Sequence, residues 1–447
     1  MKRLPLFVFT LLLTVFPLAE LPLSAADSAR LTRTQQLAER NDASGPLSGS
    51  VWGFLAVNLR GDTLACINPG RRLVPASNLK LITTGAALLS LGGNYRYTTT
   101  LATDAPIPDP SAASTLEGNL YIIGGGDPML GELFPYLPGA DGSFAPWLKL
   151  LKDNGIEEID GDIIGDGSWF GARQYHPDWC VEDIATRDGV VPVGLTWRGR
   201  MEEEIPDGAY SAAYHFQQWL NEVDSTATAA DGTVAPSPRL PVSGIALEGP
   251  APDSLIRTLG VVESLPLRDL IRIANCQSDN FIAETLLKTL GKTASGDDSY
   301  APSLDALKKA LSPLGLMSAS GQMRFADGSG LSRKNYVSPE FMVSFLRAMS
   351  CSKVWNDYLA SLPFAGEPKT TLERRLPRRP YALRHRIRMK SGSMNGVRCF
   401  SGYILPATGG KERTIVFSIL TNNAVAQGQQ VYQIIDQMVE SLAHENE

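Results

Sequence analysis

Three short polar elements, each set against an apolar run, constrain this chain more than its composition does: Ser77-Asn78-Leu79-Lys80, Ser278-Asp279-Asn280 and Lys390-Ser391-Gly392. Ser77 follows Val74-Pro75-Ala76 and opens the run Leu79, Leu81, Ile82, Ala86, Ala87, Leu88, which reads as a buried helix ended by Gly92-Gly93. Lys80 then lies one turn on, on the same face as Ser77. The triplet at 278–280 joins two helical patterns, Leu267 to Asn275 and Phe281 to Lys288, and so falls on a short turn. Lys390 follows the alternating Ile387-Arg388-Met389 and sits on a strand, where Gly392 without a Cβ lets another backbone come close. A fold that uses these elements must bring three distant stretches to one cleft.

Two decoys carry the same letters. Ser350-Cys351-Ser352-Lys353 fits S-x-x-K, but Ser350 closes the candidate helix Pro339 to Met349, so Lys353 need not stand beside it; Ser393-Met394-Asn395 fits S-x-N. Order and context favour the first set. Its chemistry is that of acyl transfer. A serine hydroxyl is a poor nucleophile until a base within hydrogen-bond reach takes its proton. Lys80 serves only if it is neutral when attack begins, so burial and nearby cations such as Lys390 must lower its ordinary pKa of about 10.4. A serine at a helix N-terminus also has backbone N–H groups and the positive end of the helix dipole to hand for a developing oxyanion. The bland reading, in which Ser77 caps a helix and Lys80 is a solvated charge, is preferable for the first element alone. The other two reverse it.

With these residues in place, the sequence resembles the D-alanyl-D-alanine carboxypeptidase/endopeptidases of the low-molecular-mass class C penicillin-binding proteins, whose wider superfamily carries S-x-x-K, S-D-N and K-T-G. Further segments are similar: Gly124-Gly125-Gly126-Asp127-Pro128, Gly161-Asp162-Ile163-Ile164 leading to Ser168-Trp169-Phe170, Asp327 to Arg333, Ser401-Gly402-Tyr403 and Phe417 to Asn423. Ser391 and Ser393 stand where threonine is usual, and both keep the hydroxyl. The resemblance implies Ser77 as nucleophile, Lys80 as base, Ser278 as proton relay to the leaving amine and Asn280 as holder of the acyl amide. It also implies backbone N–H groups of Ser77 and Ser393 as an oxyanion hole, and Lys390 with the Ser391 and Ser393 hydroxyls beside Gly392 as receiver of a terminal carboxylate. Asp166 lies where the family has an acidic residue, a weak specificity candidate that reads more readily as a turn residue. The implied partners are peptidoglycan stem peptides and β-lactam inhibitors, with no cofactor.

The fold class expected is α+β, because helices and strands are grouped rather than strictly alternating. Residues 27–100 and 261–447 are expected to form a discontinuous catalytic domain, an antiparallel sheet flanked by helices as in the penicillin-recognising serine acyltransferases (β-lactamase/transpeptidase-like). Strands are expected at Gly49 to Leu59, Thr63 to Ile67, Ile387 to Met389, Cys399 to Leu405 and Thr414 to Thr421, with a last helix from Gln429 to His444. Residues 101–260 turn to proline- and glycine-rich texture, as in Asp104 to Pro110, and are expected to form a large β-rich insertion.

Met1-Lys2-Arg3, an apolar stretch to Leu18 and small residues Ser24-Ala25-Ala26 predict a secretory signal peptide over 1–26, and hence an exported, extracytoplasmic protein with no transmembrane anchor in the mature chain. A net charge of −6 argues against nucleic acid as partner. Five cysteines leave at least one unpaired, and Cys276 reads as a small buried hydrophobe. The four histidines fall in no metal-binding pattern, and no G-x-S-x-G elbow supports a Ser-His-Asp site. Two other readings stay open: a non-catalytic peptidoglycan-binding protein on the same scaffold, and a β-lactamase or esterase.

Overall fold

Ile415–Asn422 is buried along its whole length and Val51–Asn58 nearly so, a pattern that belongs to strands covered on both faces. They are neighbours in a five-stranded antiparallel sheet, in the order Ile387–Met394, Val397–Ile404, Ile415–Asn422, Val51–Asn58, Thr63–Ile67. The computed structural model describes residues 32–111, 114–131, 144–171, 174–186, 188–197, 208–224, 237–253, 256–316, 323–424, 426 and 428–445. The signal peptide expected over 1–26 lies outside the described residues.

One face of the sheet packs Trp52, Phe54, Phe417 and Phe400 against Ile435, Met438 and Leu442 of the C-terminal helix Gly428–Glu445. The other packs Val416, Leu420 and Tyr403 against a helical layer of Leu79–Leu91, Leu267–Cys276, Asn280–Ser295 and Pro339–Ser350. The architecture is therefore α+β with helices on both faces. Strand Ile387–Met394 runs five residues past the expected Met389, so the whole Lys390-Ser391-Gly392-Ser393 element is edge strand.

A second five-stranded sheet, in the order Ala246–Glu248, Ile163–Asp166, Leu120–Ile123, Thr98–Thr103, Arg257–Glu263, draws its strands from the middle of the chain. It mixes parallel and antiparallel pairs and has its own core, in which Phe144, Trp147, Trp197 and Phe216 cluster. Two helices of this region are Ala145–Asp153 and Gly208–Asn221. Among the described residues no helix is long and apolar enough to cross a membrane.

Candidate active site

Ser77 sits in a single 3-10 turn, Ala76–Asn78, that feeds the helix Leu79–Leu91. Ala76 before it has a φ of 47°, a left-handed conformation that costs an L-residue roughly 1–2 kcal/mol. The surrounding contacts hold it there. A Cβ on Gly330 would lie 2.0 Å from the Ala76 carbonyl oxygen, and Gly330 itself has a φ of 88°, so only glycine lets this loop close against the turn. Being at the helix start, the Ser77 N–H belongs to the donors left without an intrahelical partner.

Lys80 is completely buried, and its Nζ has three polar neighbours: Ser77 Oγ at 3.0 Å, Asn280 Oδ1 at 2.6 Å and the Ser329 carbonyl oxygen at 2.7 Å. The Asn280 amide is oriented by its Nδ2, which donates to the Asp188 carbonyl at 2.7 Å, so Oδ1 must face the lysine. Two of the three neighbours can only accept. A neutral amine has two N–H donors for Asn280 and Ser329, and its lone pair then falls on the Ser77 hydroxyl, the one partner able to donate in return. The geometry thus fixes where the lone pair points. Burial lowers the Lys80 pKa to about 8, against the opposing pull of the Asp327, Glu284 and Asp188 carboxylates.

The third element reaches the first through Asn78, whose Nδ2 donates to the Lys390 carbonyl at 3.1 Å and the Cys399 carbonyl at 3.2 Å. Gly392 is what permits this. A Cβ there would stand 2.7 Å from the Pro75 carbonyl oxygen and 2.9 Å from Asn78 Nδ2. Thr371 joins the second and third elements, its N–H donating to the Cys276 carbonyl and its hydroxyl accepting from Ser391 Oγ at 2.9 Å. The three sequence elements are therefore linked pairwise. Ser278 itself occupies the turn between helices with a φ of 61°, while Asp279 caps the second helix by accepting from the Ile282 N–H at 2.7 Å.

Lys390 is also completely buried, and its Nζ donates to the Ser391 carbonyl at 2.8 Å. Burial first, and then the charge of Lys80, push its pKa well below the ordinary range, with Cys276 opposing.

Strand parity corrects one expectation. Met389 N and Ile387 O bond Pro363 and Ala365 outside the sheet, so the N–H groups of Ser391 and Ser393, two and four residues on, also point away from the paired strand. The Ser393 hydroxyl instead lies on the sheet face of the C-terminal helix, where it accepts from Tyr432 Oη at 3.3 Å. It is the backbone of Ser393 that turns outward at the edge, and the alternation of the strand puts the side chains of both Ser391 and Ser393 on the face opposite Lys390, so neither hydroxyl stands beside its amine as expected. Asp166 is likewise removed from the cluster. Its carboxylate is buried in the second sheet and accepts from the N–H groups of Ser168 and Ala251, each at 2.8 Å, which is the turn role. Ser350, the decoy, closes its helix by donating to the Arg347 carbonyl at 2.6 Å.

Residues to which the sequence reading gave no role complete the site. Asp327, fully buried, accepts from the Gly330 N–H, from Asn335 Nδ2 and from Trp179 Nε1 at 2.9 Å. Glu284, also fully buried, accepts the N–H groups of Gly328 and Ser329 at 3.0 and 2.7 Å. Asp327-Gly328-Ser329-Gly330 is a glycine-spaced loop with a lone acid, marked in the sequence by that spacing and by its likeness to a family segment. Cys276 is buried with its thiol pushed up to about 11, and all five cysteines are free. Among the described residues no group of histidine, cysteine, aspartate and glutamate is placed to hold a metal ion.

The family model for D-Ala-D-Ala carboxypeptidase 3 (S13) matches residues 33–233 and 241–445. The chain belongs to that family. Among its relatives is a D-alanyl-D-alanine carboxypeptidase of Actinomadura sp. (strain R39), 27% identical over 468 residues that span 90% of this chain and 83% of the relative. A D-alanyl-D-alanine carboxypeptidase of Haemophilus influenzae is 25% identical over 83% of this chain and 85% of its own. Of the solved structures, penicillin binding protein 4 from Haemophilus influenzae superposes with a TM-score of 0.68 at 22% identity, covering 92% of this chain and 99% of that one. A predatory peptidoglycan endopeptidase from Bdellovibrio bacteriovorus superposes with a TM-score of 0.55 at 19% identity, covering 89% and 93%. The fold is that of these two solved structures.

Proposed function

We propose that the protein is a serine DD-peptidase that cleaves the D-Ala-D-Ala terminus or D-Ala cross-links of peptidoglycan through an acyl-enzyme on Ser77. The observation that carries this reading is the Lys80 amine, buried among two obligate acceptors and the Ser77 hydroxyl. Ser77 Oγ attacks the carbonyl of the penultimate D-alanine while its proton passes to Lys80. The C–N bond then breaks, the departing amine takes a proton relayed by Ser278, and water hydrolyses the ester in the second step. Asn280 holds the acyl amide, and the N–H groups of Ser77 and Ser393 receive the oxyanion; losing one such donor costs on the order of a hundredfold in rate.

Lys390 is the receptor for the terminal carboxylate. An anion bound there favours the charged form that burial disfavours, and positive charge on Lys390 in turn disfavours a proton on Lys80. Substrate binding and activation of the base are thereby coupled. The Haemophilus influenzae relative has been solved with a β-lactam bound, and a β-lactam carboxylate fits the same receptor. Residues 101–260 are proposed as a module inserted into the catalytic domain of 27–100 and 261–447, a reading supported by a second sheet whose strands come from residues 98–263, two of them crossing the proposed boundaries. Export by way of the first 26 residues belongs to the same proposal.

The test is covalent labelling by a fluorescent penicillin together with D-alanine release from a stem peptide. Both are expected in the wild type and neither in Ser77→Ala. Labelling that survives in the variant would remove Ser77 from the mechanism, and binding of peptidoglycan without turnover would favour the non-catalytic reading.

A further inference from the structure

Glu284 is the largest buried polar feature beside the site to which the mechanism above assigns nothing. It projects from the helix Asn280–Ser295, one turn beyond Asn280, and is completely enclosed. Its Oε1 accepts the N–H groups of both Gly328 and Ser329, and its Oε2 has no hydrogen-bond partner among the described residues. The neighbouring carboxylate, Asp327, takes the next peptide through the Gly330 N–H and is satisfied on both oxygens. Between them the two acids clamp three consecutive N–H groups of the 327–330 loop. Clamped this way, the loop turns the Ser329 carbonyl onto Lys80 Nζ at 2.7 Å. Thr83 secures it from the nucleophile helix by donating to the Gly328 carbonyl at 2.7 Å.

The groups that face Glu284 decide its charge. Asp327 from the loop is an anion next to it, Lys80 from the nucleophile helix is an amine, and the Tyr300 phenol comes from the helix Tyr300–Leu311. Lys288, one turn along its own helix, is already paired with Asp298 at 2.7 Å. A second bare carboxylate beside Asp327 would carry a burial cost that the N–H groups of Gly328 and Ser329 and the Tyr300 hydroxyl offset only in part; a neutral acid avoids most of it.

Resting on the DD-peptidase reading, we propose that Glu284 is a positioning residue, protonated in the resting enzyme, that holds the Ser329 carbonyl on Lys80 while withholding a negative charge that would keep the amine protonated. Burial and the Asp327 charge push its pKa up to about 8, against the hydrogen bonds from Ser329 and the charge of Lys80. The device separates two tasks that an ordinary glutamate would confound: gripping the loop needs only an acceptor, and leaving Lys80 free to act as base needs the absence of an anion.

The experiment is the pH dependence of the acylation rate with a fluorescent penicillin in the wild type, Glu284→Gln and Glu284→Leu. Glutamine keeps an acceptor for the loop and is neutral like the protonated acid, so its plateau and the acid limb of its profile stay with the wild type; a limb that moves to lower pH by about one unit or more would reveal an anion at Glu284 in the wild type and overturn the proposal. Leucine releases both N–H groups, and its plateau rate falls roughly tenfold or more. A residue that merely supports the fold would lower both plateaus alike; that result, or a leucine variant as fast as the wild type, overturns the proposal. On the wild type alone, infrared difference spectra must show a buried carboxylic-acid band that is lost as pH rises through about 8. Its absence overturns the proposal even if neither variant folds. Failure of the wild type to be labelled at all would instead count against the DD-peptidase reading.

Discussion

At the scale of single residues, the site works because a lysine is stripped of water and given only two acceptors that must be satisfied. With a pKa of about 8, roughly a tenth of Lys80 is neutral at one pH unit below that value. The acylation rate should therefore rise about tenfold per pH unit below pH 8 and level off above it, because the base is the deprotonated form. A rate that is flat through this range would count against Lys80 as base. Replacing Lys80 by methionine, which keeps the bulk and loses the amine, should cut acylation by on the order of 10²–10⁴-fold, the usual worth of a general base, with the fold retained by circular dichroism. Ser77, Lys80, Ser278, Asn280 and Lys390 were singled out from residue type, spacing and order, and the fold brings Ser77, Lys80 and Asn280 into one hydrogen-bonded group; their roles are those of the proposed function. Glu284 and Asp327 were given no role, because an isolated acid in a sequence carries no mark of how many N–H groups will converge on it.

At the scale of elements, close approach matters more than any one bond. The edge strand Ile387–Met394 and the turn Ala76–Asn78 come together at Gly392, where a Cβ would meet the Pro75 carbonyl oxygen at 2.7 Å. Gly392→Val should push the strand from the turn, lower penicillin acylation by a hundredfold or more, and cost about 1–3 kcal/mol of stability in chemical denaturation, the range for a small-to-large change in a tight site. Wild-type acylation in this variant would show that the strand is not the wall of the cleft. The strands and helices themselves were readable, since apolar runs at 51–58 and 415–422 and helical spacing after Ser77 survive in the fold with boundaries moved by a residue or two. Less readable was which group of Ser393 faces the cleft. Strand register decides that, and register comes from pairing with Val397–Ile404 rather than from the local sequence.

At the scale of the whole molecule, the stretch 174–197 does more than link two parts of the second sheet. His176 bonds the Ala326 carbonyl at 2.9 Å, Trp179 bonds Asp327, Asp178 pairs with Lys334, and the Asp188 carbonyl receives Asn280. This segment of the middle region therefore forms part of the cleft wall and is fastened to the loop that orients Lys80. Trp179→Phe removes the buried donor to Asp327 and should cost about 1–3 kcal/mol, read as a lowered denaturation midpoint. Its effect on a peptide substrate should exceed that on a small β-lactam, because the wall faces the longer ligand; equal losses would argue that Trp179 acts on the loop alone. The sequence showed where the texture changed near residue 101 but could not show that part of the middle stretch returns to the site, since its polar contacts have no periodicity.

What the sequence determined by itself is the chemical inventory and its order: a serine with a lysine one turn away, a polar turn between two helices, and a cation on a glycine-bearing strand, each marked by local spacing. Only the tertiary structure decided which way each group's pKa moves. Protonation depends on burial and on charges from distant stretches of chain, and those meet at Lys80, Glu284 and Lys390 only once the sheet and its helices have closed around them.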